Sequence, residues 1–198
     1  MVEGGSLAGL SELALREGDA AAAHAYAQTA LDILVAADSR LYQIDALHNM
    51  GNAQLALGHW AQAQDAFERD EALAREIDVS NKVSNALEAQ ARVALERGDI
   101  AGASQAVQRL LVHVGAGDRV PSAAALVGTE EHRVRLTLHQ VWSRARDPRA
   151  EAALLEAHRA LVREADTITD AALQRSFLTL IPENREIARL REQWAPAS

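Results

Sequence analysis

The 198-residue sequence contains no cysteine, only four prolines and 4% aromatic residues. The absence of cysteine excludes disulfide bonds, thiolate metal sites and thiol catalysis. The shortage of aromatic side chains argues against a large aromatic core and against a stacking platform for single-stranded nucleic acid. Small side chains must therefore set the distances at which the elements of the fold pack.

Positive charge is also scarce, because 20 lysines and arginines stand against 28 acidic residues. Residues 1–80 hold 13 acidic and 4 basic residues, so this part of the chain offers no basic face for nucleic-acid phosphates. No stretch approaches the roughly 18 uninterrupted apolar residues of a membrane span, and the first residues lack the basic region of a signal peptide. We therefore expect a cytoplasmic protein that binds neither nucleic acid nor a membrane.

Alanine and leucine dominate the residues that are present. The chain has 42 alanines and 25 leucines, against 13 valines and 7 isoleucines. Strong helix formers thus outnumber the β-branched aliphatic residues by more than three to one, and the composition predicts an all-α fold.

A sequence repeat organises the first two thirds of the chain, with copies that begin at Leu7, Leu47 and Leu87. The copies, which align without a gap, are LAGLSELALREGDAAAA (7–23), LHNMGNAQLALGHWAQA (47–63) and LEAQARVALERGDIAGA (87–103). They share a glycine at Gly18, Gly58 and Gly98. Glycine adopts the left-handed conformation that ends a helix, and Asp19 or Asp99 directly after it can cap the next one. Each copy is therefore predicted to be a pair of antiparallel helices.

Two short helices cannot bury their apolar faces alone, so successive hairpins must stack into a solenoid. The predicted fold is an α-α superhelix of about four hairpins with C-terminal capping helices. The predicted helices span 6–17, 20–37, 41–57, 60–77, 80–97, 100–114, 129–146 and 148–167. Asp170 and Pro182 each predict the start of a further short helix.

The domain organisation follows from these elements. Residues 115–128 contain three glycines and one proline, which indicates a longer connection rather than a domain linker. All of 1–198 is therefore assigned to one domain. Its hairpins are predicted over about 6–37, 41–77, 80–114 and 129–167, and its capping helices over 170–195.

The repeat resembles the tetratricopeptide repeat. The matching positions, which carry large, small, turn and aromatic residues in the order of that motif, are Leu47, Met50, Gly51, Gly58, Ala63 and Phe67. The sequence departs from the motif at Gln54, where an aromatic is usual, and at Asp70 and Glu71, where an alanine and a leucine are usual. The interval from Leu7 to Leu47, and again from Leu47 to Leu87, is also longer than the usual period of this motif.

This forty-residue spacing is similar to that of the C-terminal repeats of large bacterial regulators, which join an ATPase module to a DNA-binding or adenylate cyclase domain. The string ARDPRAEAALLEAHRALVREADTITDAALQRSFLTLIPENREI (145–187) resembles the segment that closes such regions. The resemblance implies a regulatory domain of bacterial signal transduction or transcription regulation that binds a protein or peptide partner.

No catalytic signature accompanies the repeats. The sequence lacks a phosphate-binding loop, a dinucleotide fingerprint, a zinc-protease motif, a nucleophile elbow and a calcium loop. Its seven histidines include no pair four residues apart, so one helix cannot supply two histidine ligands to a metal. We expect no enzyme activity, no cofactor and no metal.

The resemblance implies that the first helix of each hairpin lines a concave groove, where side chains three, four or seven residues apart share a face. The predicted groove residues are Glu12, Arg16, Asp45, His48, Asn52, Asn85, Glu88 and Arg92. Their mixed charges suit a peptide that carries both charges or several amides. The alternative is that the acid–arginine pairs Glu12–Arg16 and Glu88–Arg92 are plain bridges along a helix surface.

Two further hypotheses stay open. The chain could instead be a small-molecule sensor whose effector pocket includes Arg135, His139 and Trp142 together with Arg92. Self-association is also possible, through an open repeat end or through the apolar face of the last helix with Ile187, Leu190 and Trp194. Trp60, Trp142 and Trp194 are themselves predicted to pack rather than to stack on a ligand.

Overall fold

A computed structural model describes residues 2–193. Within this range the chain forms ten α-helices and one short 3₁₀ turn, Ala124–Leu126, and has no strand. The helices are α1 (Val2–Glu17), α2 (Ala20–Ala36), α3 (Arg40–Ala56), α4 (Trp60–Glu76), α5 (Ser80–Glu96), α6 (Ile100–His113), α7 (Glu131–Arg144), α8 (Arg149–Ala165), α9 (Ala171–Leu180) and α10 (Pro182–Gln193). The predicted all-α helical-repeat fold is confirmed.

The predicted helix limits agree with the structure to within two residues, except at the first helix. This helix begins at Val2, although residue 6 was predicted as its start. Gly4 is buried, and a Cβ atom on it would lie only 2.8 Å from Cγ of Leu34. The glycine thus lets α1 approach α2 closely, and this packing offsets its poor helix propensity.

Every turn between the first six helices contains one residue with a positive φ. Gly18, Gly58 and Gly98 have φ values of 82°, 74° and 71°, as the repeat predicted. Asp38 and Asp78, which lie midway between these glycines, have φ values of 48° and 58°. The turns within hairpins therefore use glycine, and those between hairpins use aspartate, which tolerates this conformation better than most residues.

The chain divides into two compact units, with the boundary between Ala106 and Val107 in α6. In the first unit each helix packs against the next along the chain from α1 to α5, and α1 also contacts α3. Small side chains fill these joints. Ala27, Ala30 and Leu34 of α2 cluster with Leu47 and Met50 of α3. This sequential stacking is the packing of a helical-repeat superhelix.

The second hairpin stacks on the third in the same way. Ala63 and Phe67 of α4 form a buried cluster with Ala89 and Val93 of α5. Phe67 also lies against Gly51 of α3, where a Cβ atom would come within 2.8 Å of three ring carbons. One aromatic ring thus occupies the space that a glycine and several alanines leave open.

The second unit is built on α7 and α8, which pack against each other, with α9 and α10 beside them. Leu136, Ala157, Leu161 and Ile187 form a buried cluster in this unit, and Phe177 packs on that cluster. Asp170 caps α9 by accepting hydrogen bonds from the backbone N–H groups of Ala172 and Leu173 at 2.8 and 2.9 Å. None of the helices in residues 2–193 is both long and apolar enough to cross a membrane.

Candidate functional site

The predicted groove residues of α1, Glu12 and Arg16, are exposed and contact each other. Nη2 of Arg16 donates to Oε1 of Glu12 at 2.6 Å. Both side chains are more than half exposed, so water screens this pair strongly. It is a helix-surface bridge of the kind that the alternative interpretation predicted, and both groups remain accessible to a ligand.

Three of the predicted residues on α3 and α5 take part in contacts that connect one first helix to the next, together with Lys82, which was not predicted. Nζ of Lys82 donates to Oδ1 of Asp45 at 2.5 Å, and each side chain is about one third exposed. Two turns further along α3, Oδ1 of Asn52 accepts a hydrogen bond of 2.8 Å from Nη2 of Arg92. Polar contacts thus join α3 to α5 at two levels of the same face.

Arg92 is held in place by a second contact along its own helix. Its Nε donates to Oε1 of Glu88 at 2.9 Å, and the Glu88 side chain is almost fully buried. Asn85, one turn before Glu88, is also buried. At the third hairpin the accessible member of the predicted set is therefore Arg92, whereas Asn85 and Glu88 lie beneath the surface.

His48, in the middle of the predicted set, faces a buried acid. Its Nδ1 lies 2.8 Å from Oδ2 of Asp70 on α4, and its ring packs edge-on against Phe67. Burial raises the pKa of the Asp70 carboxyl, although the hydrogen bond and the charge of His48 act in the opposite direction. Oδ1 of Asp70 and Nε2 of His48 are buried and have no hydrogen-bond partner within residues 2–193.

A further buried carboxylate, Glu71, connects α4 to α5. Its Oε2 accepts a hydrogen bond of 2.8 Å from Nε2 of Gln90, and its Oε1 accepts one of 3.0 Å from Nε of Arg75. Sequence reasoning did not place Asp70, Glu71 or Gln90 at a site. A signal existed, because Asp70 and Glu71 occupy positions where the tetratricopeptide motif has an alanine and a leucine.

The residues of the alternative effector pocket are buried in the second unit and bind their own chain. Arg135 donates to Oε1 of Glu131 and to the carbonyl of Pro121, both at 3.0 Å. Nδ1 of His139 lies 2.9 Å from the carbonyl oxygen of Ala150, and the ring of Trp142 stacks under the guanidinium of Arg149 at 4.5 Å. These contacts are those of a packed interior.

Of the two remaining tryptophans, Trp60 and Trp194, only Trp60 lies within the described residues. Trp60, predicted to pack, is 42% exposed at the start of α4. Trp194 lies outside the described residues, whereas Ile187 is buried in the second unit and Leu190 packs against it. Ile187 is therefore not available at the surface for the self-association that was predicted through the last helix.

A shallow groove of about 370 Å³ lies elsewhere in the first unit, among α2, α3 and α4. Polar residues line most of it: His24, Gln28, Gln54, Gln62 and Asp65. Within residues 2–193 no three histidine or carboxylate side chains are grouped so that they could hold a metal ion. The sequence matches no protein-family model and no curated protein.

Proposed function

We propose that the chain is a non-catalytic interaction domain that binds a protein or peptide along the polar face of its first helices. The observation that carries this proposal is the pair of contacts from α3 to α5, Asp45 with Lys82 and Asn52 with Arg92. They arrange groups of both charges, partly exposed and restrained by neighbours, along one face. We call the residues Asp45, Asn52, Lys82 and Arg92 the polar face.

Each end of the polar face has a side-chain atom that could form a hydrogen bond with a ligand. Nε and Nη2 of Arg92 bind Glu88 and Asn52, and its Nη1 has no hydrogen-bond partner within residues 2–193. Nη1 would donate to a carbonyl or carboxylate of the partner. At the other end Lys82 occupies Oδ1 of Asp45, so Oδ2 would accept from an amide or a cation. The polar face therefore suits a peptide with both charges or several amide groups.

The restraint of these side chains favours binding energetically. A free arginine loses about 2 kcal/mol of side-chain entropy when it is fixed in one conformation. Arg92 is already held by Glu88 and Asn52, so a ligand would not have to restrain it again. The acidic balance of residues 1–80 disfavours a strongly acidic partner.

The resemblance of the repeats extends the proposal to a class of protein. A cytoplasmic domain of bacterial signalling or transcriptional regulators, in which tetratricopeptide-type repeats hold a partner, would use such a face. The alternative of a small-molecule sensor gains no support from Arg135, His139 and Trp142, because these residues bind other groups of the second unit.

A random peptide library displayed on phage, selected on the purified chain, tests the proposal. Enriched peptides should carry both charges or several amides, and fluorescence anisotropy should show at least about tenfold weaker binding to the Asn52→Ala/Arg92→Ala variant. Asp45→Ala should weaken the same peptides at the other end of the face. Asp45→Ala leaves the contact of Arg92 with the buried Glu88 in place. Weaker binding by this variant therefore cannot be attributed to misfolding through loss of that contact.

A matched control uses the exposed side of α4. Gln64 and Arg69 supply one amide and one guanidinium, as Asn52 and Arg92 do, and each contacts only an acid of its own helix among the described residues. Gln64→Ala/Arg69→Ala should leave binding unchanged. Failure to enrich any peptide, or equal binding to both double variants, would remove the proposal.

A further inference from the structure

The groove among α2, α3 and α4 lies on the side of α3 that is turned away from the polar face. Gln54, which lines the groove, follows Asp45 of the polar face by nine residues. Nine residues make about two and a half helical turns, so these two side chains leave α3 in opposite directions. A molecule in the groove would therefore not compete directly with a partner at the polar face. We call it the amide groove, after the glutamines that line it, Gln28, Gln54 and Gln62.

These three glutamines carry hydrogen-bonding atoms that the described part of the chain does not use. Nε2 of Gln28 donates to Oδ1 of Asp32 at 3.0 Å, so Oε1 of Gln28 can accept from a ligand. Oε1 of Gln54 accepts from Nδ1 of His59 at 2.8 Å, so Nε2 of Gln54 can donate. Gln62 has no hydrogen-bond partner among residues 2–193, and its amide offers both a donor and an acceptor. The groove thus presents donors and acceptors from three helices.

The spacing of the polar side chains matches an extended peptide. His24 and Gln28 on α2 are one helical turn apart, and so are Gln62 and Asp65 on α4. One turn rises about 5.4 Å, which is close to the roughly 6.6 Å between alternate residues of an extended chain. Side-chain amides donate and accept as peptide N–H and C=O groups do, so they can bind the main chain of a peptide that runs along the groove.

The charge of the groove favours a basic peptide. Its carboxylate is Asp65, whose Oδ2 lies 3.6 Å from Nη1 of Arg69, and both side chains are more than half exposed. An exposed bridge of this kind is weak, so a guanidinium of the ligand can replace Arg69. Residues 1–80 hold 13 acidic and 4 basic residues, and this excess of negative charge attracts a cation.

We infer that the amide groove binds an extended, basic peptide segment of a partner protein. The peptide main chain bonds to the amides of Gln54 and Gln62, and an arginine of the peptide lies beside Asp65. Met50, which is 8% exposed, supplies an apolar contact at the floor. The groove is shallow, whereas a small-molecule site encloses most of its ligand, so a chain that passes along the groove fits it better. This site is additional to the polar face.

The other repeats show that small residues are accommodated where the two central amides stand. The positions equivalent to Gln54 and Gln62 are Ala14 and Ala22 in the first hairpin and Ala94 and Gly102 in the third. The amide pair therefore belongs to the second hairpin alone among the three copies. Gln54→Ala/Gln62→Ala should remove the hydrogen-bonding atoms and keep the wild-type midpoint of urea denaturation.

Titration of the ¹⁵N-labelled protein with the peptide acetyl-Ser-Ser-Arg-Ser-Ser-amide, up to millimolar concentration, tests the inference. The side-chain amide resonances of Gln54 and Gln62 should shift and saturate, and Gln54→Ala/Gln62→Ala should weaken binding by about tenfold. Gln64→Ala/Gln105→Ala is the matched control. It removes two glutamines that do not line the groove, and it should bind the peptide as the wild type does.

Analogues of the peptide test how it is recognised. Methylation of its main-chain nitrogens removes the donors that the groove would bind, so the methylated peptide should bind about tenfold more weakly. Replacement of its arginine by glutamate should also weaken binding. Asp65→Asn should reduce this preference for arginine, because it removes the carboxylate and leaves Arg69 available to the glutamate.

The outcomes separate this inference from the proposed function. Asn52→Ala/Arg92→Ala, which alters the polar face, should bind the arginine peptide as the wild type does. The absence of saturable shifts, or shifts confined to the polar face, would overturn the inference without affecting the proposed function. Equal binding of the methylated peptide, equal loss in the two glutamine double variants, or an unchanged preference for arginine in Asp65→Asn would overturn it as well.

Discussion

Replacement of Gly51 by alanine probes the packing of the second hairpin. The added Cβ atom would lie 2.6, 2.7 and 2.8 Å from Cε1, Cζ and Cδ1 of Phe67, which is 0% exposed and packed on Ala63, Ala89 and Val93. Overpacking of this kind costs up to about 3 kcal/mol, and alanine returns about 1 kcal/mol of helix propensity. We therefore expect Gly51→Ala to lower the free energy of unfolding by about 2 kcal/mol.

Gly5→Ala provides the control, because it makes the same chemical change in a helix where the new Cβ atom meets nothing within 4 Å. It should raise the free energy of unfolding by about 0.5 to 1 kcal/mol. Urea denaturation followed by circular dichroism measures both values.

A double-mutant cycle assigns the cost of Gly51→Ala to one contact. Phe67→Leu shortens the opposing side chain, so Gly51→Ala should cost much less in that background than in the wild type. An equal cost in both backgrounds, or a Gly51→Ala variant as stable as Gly5→Ala, would show that α3 and α4 do not meet as described.

Three other substitutions probe the turns, the interior and the buried acid. Arg146 has a φ of 56°, a left-handed conformation that is unfavourable for any residue with a Cβ atom. Arg146→Gly should therefore be about 1 kcal/mol more stable than Arg146→Ala in thermal melting. Equal melting temperatures would contradict this turn geometry. Ala63 is 0% exposed among apolar residues, so Ala63→Glu should lower the free energy of unfolding by about 3 kcal/mol or more in urea denaturation. Gln62→Glu, on the exposed side of α4, should change it little. Equal losses in the two variants would refute the helix register. Asp70→Asn should remove a pH dependence of the free energy of unfolding. Burial raises the folded-state pKa of Asp70 above its unfolded value of about 3.8, so the folded state binds the proton more tightly than the unfolded state does. The stability of the wild type should therefore fall as pH rises from the unfolded pKa of Asp70 to its folded pKa. Urea denaturation should show that Asp70→Asn gains stability relative to the wild type as pH rises between these two pKa values. A difference in free energy of unfolding that stays constant with pH would contradict this account of Asp70.

The fold could be predicted from the sequence because its signals are local and repeated. Gly18, Gly58 and Gly98 end helices by a conformational preference that depends on the residue alone, and their even spacing along the chain fixes the length of each hairpin. The helix start at Pro182 and the cap at Asp170 are equally local. Such signals need no knowledge of which helices touch.

The features that escaped prediction depend on contacts between distant residues. The left-handed turn at Asp78 was missed because aspartate adopts that conformation less readily than glycine, so the residue type alone does not indicate it. Helix α1 begins at Val2 because Gly4 fits against Leu34, which lies in the next helix.

The candidate site was predicted only in part for the same reason. The helical period places Asp45 and Asn52 on one face of α3, and the structure connects Asn52 to the predicted Arg92 of α5. The partner of Asp45 is Lys82, which the helical period did not indicate. The burial of Asn85 and Glu88 depends on neighbouring helices that a single helical period does not describe. The acid that faces His48 comes from α4, outside the first helices on which the groove prediction was based.

Amide chemical-shift mapping would locate the bound peptide on the chain. Titration of the ¹⁵N-labelled protein with a peptide enriched by the phage selection should shift the resonances of residues around Asp45, Asn52 and Arg92 on α3 and α5. The outward side of α4 around Gln64 and Arg69 should remain unchanged. Shifts confined to that outward side, or the absence of saturable shifts anywhere, would contradict binding at the polar face.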